Sequence, residues 1–341
     1  MPSDDLLLLR GVDIDTLLAQ QEARILEAVR RAYQAHAHGL TAMPPDSYLR
    51  FPGMEKERII SKVAFIGDDA PVAGIKWIAS FPGNLSKGIE RASATLILNS
   101  VDTGRPQVVM ESSIISAKRT AASAALGASL LLRQETLEEV GLVGCGYINF
   151  ETLRFLLHQF PDIRRVHLCD LQAPRAQQFA ERAQALKPDL EFAFTDDSSA
   201  IITQNTVSAF ATTAVKPHID SVAGHPEGAV FLHTSLRDFK PAVMLEADNV
   251  VDDIEKACSN QTSLHLAELE AGHRAFVRTD IGTILNGEAA SQDLSRPYAM
   301  FSPFGLGILD MAVAQVVYEL AQEAEVGTVI PSFLPPSWLE R

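Results

Sequence analysis

Cysteine is scarce in this chain, and its three residues, Cys145, Cys169 and Cys258, form no CxxC pair. Three thiols are too few for a disulfide framework, and without an HExxH or Cys/His cluster no metal site is expected. Basic residues are also few, because 29 Lys and Arg stand against 43 Asp and Glu, a formal net charge of −14. This balance argues against nucleic acid or a membrane surface as the main partner.

Long hydrophobic runs are missing as well. No uninterrupted apolar stretch reaches the about 20 residues that a membrane-spanning helix needs. The first residues, Met-Pro-Ser-Asp-Asp, lack the basic start of a secretory signal, so a cytoplasmic protein is expected. Of the 341 residues, 47% are apolar and 21% are charged. That composition supports a large globular core, and the length suggests about two domains.

In the first third of the chain, the pattern of apolar residues changes once, from helical spacing to strand-like segments. Apolar residues at helical spacing predict one long helix over 14–38, with Gly39 as its stop. After it, segments rich in β-branched and bulky apolar residues predict an antiparallel sheet with a hairpin turn at Asp102-Thr103-Gly104. The predicted strands are Ile59–Ile66, Val72–Ile78, Ala94–Asn99 and Gln107–Glu111. Residues 117–132 are small and apolar and predict a closely packed helix.

From residue 138 onward, strand and helix patterns alternate, which predicts a parallel, doubly wound sheet and an α/β fold. The predicted helices cover 147–160, 174–186 and, near the C-terminus, 305–321. The predicted strands are Glu139–Val143, Val166–Cys169, Glu191–Thr195, Val207–Thr212, Ala229–His233 and Val250–Val251.

A dinucleotide-binding pattern begins the alternating region. Gly144 and Gly146 stand where the first predicted strand turns into its helix, although the third position of GxGxxG is Asn149. Such glycines allow a tight turn and let a pyrophosphate approach the helix N-terminus. Asp170 follows the next strand at the spacing of an acid that binds the adenosine ribose, which favours NAD over NADP. The alternative is a plain strand–helix turn with Asp170 as a helix cap.

Four basic residues stand in settings that call for an anion. Lys76 interrupts an apolar strand and Arg119 opens the small-residue helix. Arg50 lies before the first predicted strand of the sheet, and Arg91 lies just before the third. Buried cations need anionic partners, and Arg grips a carboxylate with two hydrogen bonds. The set therefore predicts a polycarboxylate pocket. Arg50 or Arg91 alone is equally well explained by a solvent-reaching or ion-paired side chain, whereas that alternative is weaker for Lys76 and Arg119.

Asp238 follows an apolar strand. The carboxyl ends of parallel strands face the ligand crevice of a doubly wound sheet, which makes Asp238 a candidate acid–base residue. A turn-forming role is the alternative.

Taken together, these motifs resemble the ornithine cyclodeaminase/mu-crystallin family from about Arg50 to about Val317. The stretches that carry the resemblance are Gly74-Ile75-Lys76, Arg119-Thr120-Ala121-Ala122, Gly144-Cys145-Gly146, Asp170, Asp238 and Phe304-Gly305. Others are similar to the branch that forms 2,3-diaminopropionate for siderophores and antibiotics, namely Pro45–Arg50, Lys76-Trp77-Ile78 with Glu90–Ser93, and Ser113–Ser116.

The resemblance implies a Rossmann NAD-binding domain, residues 126–304, inserted into a substrate-binding and dimerisation domain formed by residues 1–125 and 305–341. It implies a homodimer that oxidises the secondary amine of N-(2-amino-2-carboxyethyl)-L-glutamate with NAD. Hydrolysis of the resulting imine would release L-2,3-diaminopropionate and 2-oxoglutarate.

The resemblance also implies roles for single residues. Arg50, Lys76 and Arg119 match positions that hold substrate carboxylate, and Arg91 joins them on charge. Asp238 matches the acid–base residue, and Lys76 is the second catalytic candidate. The implied cofactor contacts are Ser93, Arg119, Thr120, Gly144, Gly146, Tyr147, Ile148, Asp170, Thr213 and Ser235.

Two other functions remain open from the sequence. An ornithine cyclodeaminase or a ketimine or opine-type reductase would use the same scaffold. However, cyclodeaminases carry a Lys where this chain has Ala242, and a Ser just before the late Gly motif where it has Pro303-Phe304. A non-catalytic, mu-crystallin-like dinucleotide-binding protein is the third hypothesis. A pure binder needs no proton carrier, so the presence of Asp238 argues against it.

Overall fold

The fold is given by a computed structural model that describes residues 4–339, except for the side chains of Glu55 and Leu85. Residues 1–3, 340 and 341, which the predicted domain limits include, lie outside the described residues. The helices are α1 Gly11–Leu17, α2 Glu22–Ala37, α3 Ser113–Leu131, α4 Tyr147–Gln159, α5 Ala173–Ala183, α6 Ser198–Gln204, α7 Pro241–Glu246, α8 Ile254–Ala257, α9 Ser263–Ala271, α10 Ile281–Leu285 and α11 Gly307–Glu323. A 3₁₀ turn covers Pro82–Lys87.

The strands fall into two sheets. They are β1 Leu6–Leu9, β2 Thr41–Ala42, β3 Ser47–Phe51, β4 Met54–Ile66, β5 Val72–Ser80, β6 Ala92–Asn99, β7 Pro106–Glu111, β8 Glu139–Val143, β9 Arg165–Cys169, β10 Glu191–Thr195, β11 Val207–Phe210, β12 Val230–His233, β13 Asp248–Val251, β14 Val277–Asp280, β15 Ala299–Ser302 and β16 Thr328–Ile330.

The chain divides into two compact units. The first unit is Met1–Arg119 with Leu306–Arg341, and the second unit is Thr120–Gly305. Both chain ends therefore contribute to one unit, and the other is inserted between them. The predicted domain limits at 125 and 305, and the roles attached to those domains, stay predictions.

The first unit is built on an eight-stranded sheet with the order β16-β1-β7-β6-β5-β4-β2, in which β3 also pairs with β4. The four predicted strands are confirmed, and β4 to β7 are antiparallel as expected. Residues of β1 pair with β16 on one side and with β7 on the other, so the two ends of the chain meet in this sheet. Helix α11 packs on one face of β4 and β5.

The second unit holds a parallel sheet with the order β10-β9-β8-β11-β12-β15-β13-β14. All its pairings are parallel, which confirms the predicted doubly wound, Rossmann-type α/β architecture. The predicted strands are present, with β11 ending at Phe210 instead of Thr212. The sequence prediction did not include β14 and β15, which are short, four-residue strands.

The single helix predicted over 14–38 is wrong. Helix α1 ends at Leu17 and α2 begins at Glu22, with Gln20 between them in the left-handed region at φ 58°. Leu18 and Ile25 are both fully buried. They are seven residues apart, a spacing that would also place them on one face of a continuous helix, so their pattern does not reveal the break. The predicted stop is confirmed, since Gly39 has φ 70° just beyond the helix.

Helix α3 shows why its sequence is rich in small residues. A Cβ at Gly127 would lie 2.4 Å from the ring of Phe301, so only glycine admits this close packing. The helix also begins earlier than predicted, at Ser113, because the carboxylate of Glu111 accepts hydrogen bonds from the Ser113 and Ile114 N–H groups. Arg119 therefore lies well inside the helix and not at its start. Among residues 4–339, none of the helices combines the length and apolarity that crossing a membrane requires.

Candidate active site

Lys76 and Arg119 share one carboxylate, that of Asp310. Lys76 is on β5 and Arg119 on α3, and Asp310 on α11 reaches between them, with its Oδ1 2.7 Å from Lys76 Nζ and 3.0 Å from Arg119 Nε. The Ser116 hydroxyl lies 3.1 Å from Lys76 Nζ. All three charged side chains are buried. Two cations and one acid leave one net positive charge, which suits a single incoming carboxylate.

Burial and the neighbouring charges set the protonation of this group. Burial lowers the pKa of Lys76 to about 7, although the Asp310 carboxylate opposes that shift. Burial also raises the pKa of Asp310, but the charges of Arg119 and Lys76 outweigh it and hold the pKa below its ordinary value. Oδ2 of Asp310 is buried and accepts no hydrogen bond from the described residues. Lys76 is therefore poised to hold or release a proton near neutral pH.

More cations lie on the same face of the sheet. Lys62 on β4 is the cross-strand partner of Lys76 and forms a buried ion pair with Asp46, at 2.7 Å. Further along β4, Arg58 is the cross-strand partner of Arg50 on β3. Because side chains alternate along a strand, Arg58, Lys62 and Lys76 all project from one face.

Arg91 is the fourth predicted anion-binding residue. It precedes β6 and is partly buried, and its backbone oxygen accepts a hydrogen bond from Phe81. Burial lowers the pKa of Arg91, and the positive charge of Arg58 lowers it further. Arg91 and Arg58 are therefore close enough to repel each other electrostatically.

The glycine turn of the second unit has the predicted form. Gly144 adopts φ 91°, and a Cβ there would lie 2.6 Å from the Ala211 carbonyl oxygen, so glycine is required. Asn149, at the third motif position, is buried and its amide donates to the Val143 and Gly144 carbonyls, at 3.0 and 2.8 Å. Asn149 thus fixes the turn by hydrogen bonds where other motifs use a third glycine.

Asp170 is tied to this turn. Its Oδ2 accepts the Cys145 N–H at 2.8 Å and its Oδ1 accepts the Gln172 N–H at 2.9 Å. Arg175, which the sequence analysis did not single out, donates from Nε to the Cys145 carbonyl at 3.3 Å. Helix α4 begins at this turn with Gly146 as N-cap and no side-chain cap. The N-terminus of α4 and the nearby Arg175 fit the pyrophosphate of a dinucleotide.

Cys145 lies inside this turn as an inert thiol. Its side chain is buried, and burial together with the Asp170 charge raises the pKa of the thiol to about 12. A thiol with so high a pKa is not a nucleophile at neutral pH. Cys145 therefore packs inside the turn and takes no part in the chemistry.

Asp238 is the centre of a buried polar cluster at the carboxyl end of β12. Its carboxylate accepts hydrogen bonds from the Thr212 and Ser235 hydroxyls. The Nε2 atom of His233 lies 3.2 Å from Oδ2 of Asp238, while its Nδ1 atom lies 3.2 Å from the Ser302 hydroxyl. Both oxygens of Asp238 are thus engaged, and the side chain is fully shielded from solvent.

The cluster keeps Asp238 ionised. Burial raises the pKa of Asp238, but the His233 ring and the Ser235 and Thr212 hydroxyls outweigh it and lower the pKa below its ordinary value. Leu236, between Ser235 and Asp238, adopts φ 68°, an uncommon conformation for a branched side chain. Strained backbone of this kind concentrates at functional sites.

The remaining predicted cofactor positions are spread over both units, and their roles stay predictions. Tyr147 and Ile148 form the first turn of α4, and Thr213 is exposed after β11. Thr120 follows Arg119 within α3. Ser93 lies on β6, and strand alternation places it on the sheet face opposite to Lys76. Within residues 4–339, no three His, Cys, Asp or Glu side chains are grouped as a metal site.

The sequence profile of the ornithine cyclodeaminase/mu-crystallin family matches residues 5–325. The chain belongs to this family. The resemblance found in the sequence is thereby confirmed.

Three relatives illustrate the range of similar proteins. The chain is 29% identical to N-((2S)-2-amino-2-carboxyethyl)-L-glutamate dehydrogenase of Staphylococcus aureus, over 96% of this chain and 98% of that protein. A solved archaeal alanine dehydrogenase dimer with bound NAD is 27% identical, with a TM-score of 0.84 over 96% of this chain and 99% of the other. The Delta(1)-pyrroline-2-carboxylate reductase of Thermococcus litoralis, solved with NADH and L-proline, has a TM-score of 0.86 at 22% identity, over 94% and 99% of the two chains.

Three residues of these clusters, Asp310, His233 and Arg58, were not predicted from the sequence. Asp310 lies in a helix whose nearby residues are apolar, and His233 ends an otherwise apolar strand. For these two, the signal in the sequence was a single polar residue within an apolar segment. Arg58 gave no such signal in its polar surroundings. Asp252 and Asp253 end a predicted strand, a position for which the sequence favours a solvated edge over a metal site. This is wrong for Asp252, which is buried and accepts the Phe304 and Gly305 N–H groups, at 2.8 and 2.7 Å.

Proposed function

We propose that this protein is an NAD-dependent dehydrogenase of N-(2-amino-2-carboxyethyl)-L-glutamate. The balanced reaction takes this secondary amine, NAD⁺ and water to L-2,3-diaminopropionate, 2-oxoglutarate, NADH and a proton. The first unit would hold the substrate and the second unit would hold NAD.

The excess of cations in the first unit is the observation that supports this choice of substrate. Arg50, Arg58, Lys62, Lys76, Arg91 and Arg119 adjoin one sheet region. The acids paired with them among the described residues are Asp46 and Asp310. In a chain with a net charge of −14, such a local excess supports a ligand with several negative charges. The proposed substrate has three carboxylates, whereas alanine and proline, substrates or ligands of the other relatives, have one.

In the proposed reaction, different residues bind the substrate carboxylate and transfer protons. Lys76 and Arg119 bind one carboxylate with the single positive charge that Asp310 leaves them. NAD supplies the acceptor for the hydride that leaves the glutamate Cα. The ionised Asp238 takes the proton released from the amine nitrogen as the C=N bond forms and returns it to the imine nitrogen as water adds. Asp238, ionised again, then takes a proton from the added water. Return of a proton to the nitrogen lets the C–N bond break, which gives the 2-oxo acid and the free amine.

The test is a comparison of two substrates with purified protein and NAD. With N-(2-amino-2-carboxyethyl)-L-glutamate, we expect NADH, 2-oxoglutarate and diaminopropionate in equal amounts by absorbance and mass spectrometry. L-ornithine should give no proline. Proline and ammonia without net NADH would instead identify a cyclodeaminase, and NADH binding without turnover of either compound would favour the dinucleotide-binding protein.

We also propose that the protein is a homodimer. Its proposed location is the cytoplasm, as the sequence suggests. The archaeal alanine dehydrogenase relative is a dimer. The face of the first-unit sheet opposite to Lys76 exposes Leu49, Val63 and Trp77, each by 44–45%. Exposed apolar side chains on this face support an interface there. Light scattering coupled to gel filtration should give twice the 37.1 kDa chain mass, and Trp77→Lys should lower it.

A further inference from the structure

Arg58 lies in a row of basic residues that the proposed mechanism does not use. It pairs across the sheet with Arg50 on β3 and with Ser80 on β5, and Ser80 pairs in turn with Ala92, the residue after Arg91. Residues directly opposite each other on neighbouring strands have Cβ atoms about 5 Å apart. The three arginines therefore gather at one end of the sheet.

Among the described residues, no acid forms an ion pair with these arginines, in contrast to the other end of the sheet. Over residues 4–339, with the Glu55 side chain set aside, no carboxylate lies within 4.0 Å of Arg50, Arg58 or Arg91. Lys62, by contrast, has Asp46, while Lys76 and Arg119 have Asp310. Like charges brought together without a counter-ion cost free energy, and here burial, together with the Arg58 charge, lowers the pKa of the partly buried Arg91. Binding of an anion between the arginines would reduce this repulsion.

The surface between the two ends is apolar. On the face that carries Arg58 and Lys62, Ile60 is the intervening residue of β4, and Ile78 is its partner on β5. Arg58 and Lys62 are four residues apart, about 13 Å along an extended strand, and the long arginine side chain shortens the gap between charged groups. A ligand that suits this face has a carboxylate at each end and methylene groups between them.

We propose that Arg58 and Arg91 form a second carboxylate subsite that selects dicarboxylate substrates over monocarboxylates. This inference rests on the proposed function and assigns the remote carboxylate of the glutamate unit to this pair. Arginine is suited to the task because its planar guanidinium binds a carboxylate with two parallel hydrogen bonds. Arg58 is then a specificity-determining residue, while Lys76 and Arg119 hold the carboxylate next to the reacting carbon.

Binding of the 2-oxo acid product tests the subsite without requiring turnover. The probes are 2-oxoglutarate and 2-oxobutyrate, which differ by the remote carboxylate, titrated into the NADH-saturated protein by calorimetry. We expect wild type to prefer 2-oxoglutarate, and Arg58→Gln and Arg91→Gln each to weaken its binding about tenfold or more while 2-oxobutyrate binding changes little. Arg105→Gln is the matched control, since Arg105 is half-exposed and pairs with Asp4 away from this row.

The outcomes separate the subsite from the proposed function. If wild type fails to oxidise the glutamate amine but prefers 2-oxoglutarate and loses that preference in both variants, the subsite stands and the reaction is different. Equal loss of both 2-oxo acids, or no loss in either variant, overturns the subsite even if the enzyme oxidises the proposed substrate. Arg58→Lys, which keeps the charge but not the paired hydrogen bonds, should recover part of the preference and covers the case of an Arg58→Gln variant that does not fold.

Discussion

The Nζ atom of Lys76 lies 2.7 Å from Oδ1 of Asp310, and both side chains are buried. The same oxygen lies 3.0 Å from Nε of Arg119, so one carboxylate orients two cations. Asp310 thereby limits the charge offered to a substrate and favours the protonated form of Lys76. This relationship gives Asp310 a positioning role in the candidate active site.

Asp310→Asn should shift the pH dependence of ligand binding. The Asp310 charge raises the pKa of Lys76 against the effect of burial, so the amide lowers that pKa further. An opposite charge at this distance typically accounts for about one to three pKa units. In wild type, 2-oxoglutarate inhibition should weaken as pH rises through about 7, and in the variant it should weaken at lower pH. Glu319→Gln, on the exposed part of α11, is the control. Superimposable profiles would exclude this role.

Lys76→Met should change how stability depends on pH. Lys76 has a pKa of about 7 in the folded protein against an ordinary 10.5. Between these values the unfolded chain binds the proton that the folded chain has lost. In wild type, Lys76 therefore makes the free energy of unfolding rise with pH, by up to about 1.4 kcal/mol per pH unit. The variant lacks this rise, so its stability relative to wild type should fall from neutral to alkaline pH.

Denaturant unfolding at several pH values measures that difference. Lys216→Met, a change at an exposed lysine, should keep a constant offset from wild type. A Lys76→Met offset that is equally constant would show that Lys76 is charged in the folded protein throughout.

Asp238→Asn should separate cofactor binding from turnover. The amide keeps the size of the side chain but cannot accept the proton, and general acid–base groups typically supply about 10²–10⁴-fold in rate. We expect kcat to fall by that factor while NADH fluorescence titration gives an unchanged Kd. Asp220→Asn, at an exposed carboxylate paired with Lys240, should retain activity. Normal turnover by the Asp238→Asn variant would reject the acid–base role.

Asp170→Asn should weaken NADH binding and reduce discrimination against NADPH. Asp170 accepts the Cys145 N–H and so holds the glycine turn, and hydrogen bonds to charged groups are worth about 1.5–3 kcal/mol. We expect a roughly tenfold weaker Kd for NADH and a smaller ratio between the two cofactors. Asp189→Asn, in an exposed turn before β10, serves for comparison. An unchanged ratio would mean that Asp170 only shapes the turn.

Local patterns predicted the second unit well. The spacing of Gly144, Gly146 and Asp170, together with alternating strands and helices, indicated a Rossmann-type sheet, and every predicted strand is present. These features depend on residues close in sequence, where turn geometry and strand periodicity act directly. The break between α1 and α2 was not predicted, because the buried Leu18 and Ile25 keep helical spacing across it, and the left-handed Gln20 carries no turn signal of its own.

The fold class, the family, the glycine turn and the basic residues of the first unit follow from local sequence patterns. Which charges meet depends on the three-dimensional packing. Asp310 is 191 residues from Arg119 along the chain, and it is the packing of α11 on β4 and β5 that brings the two together. Arg58 and Arg91 likewise become neighbours through strand register. Electrostatic energies depend on distance and burial in space, so these pairings follow from packing and not from sequence spacing.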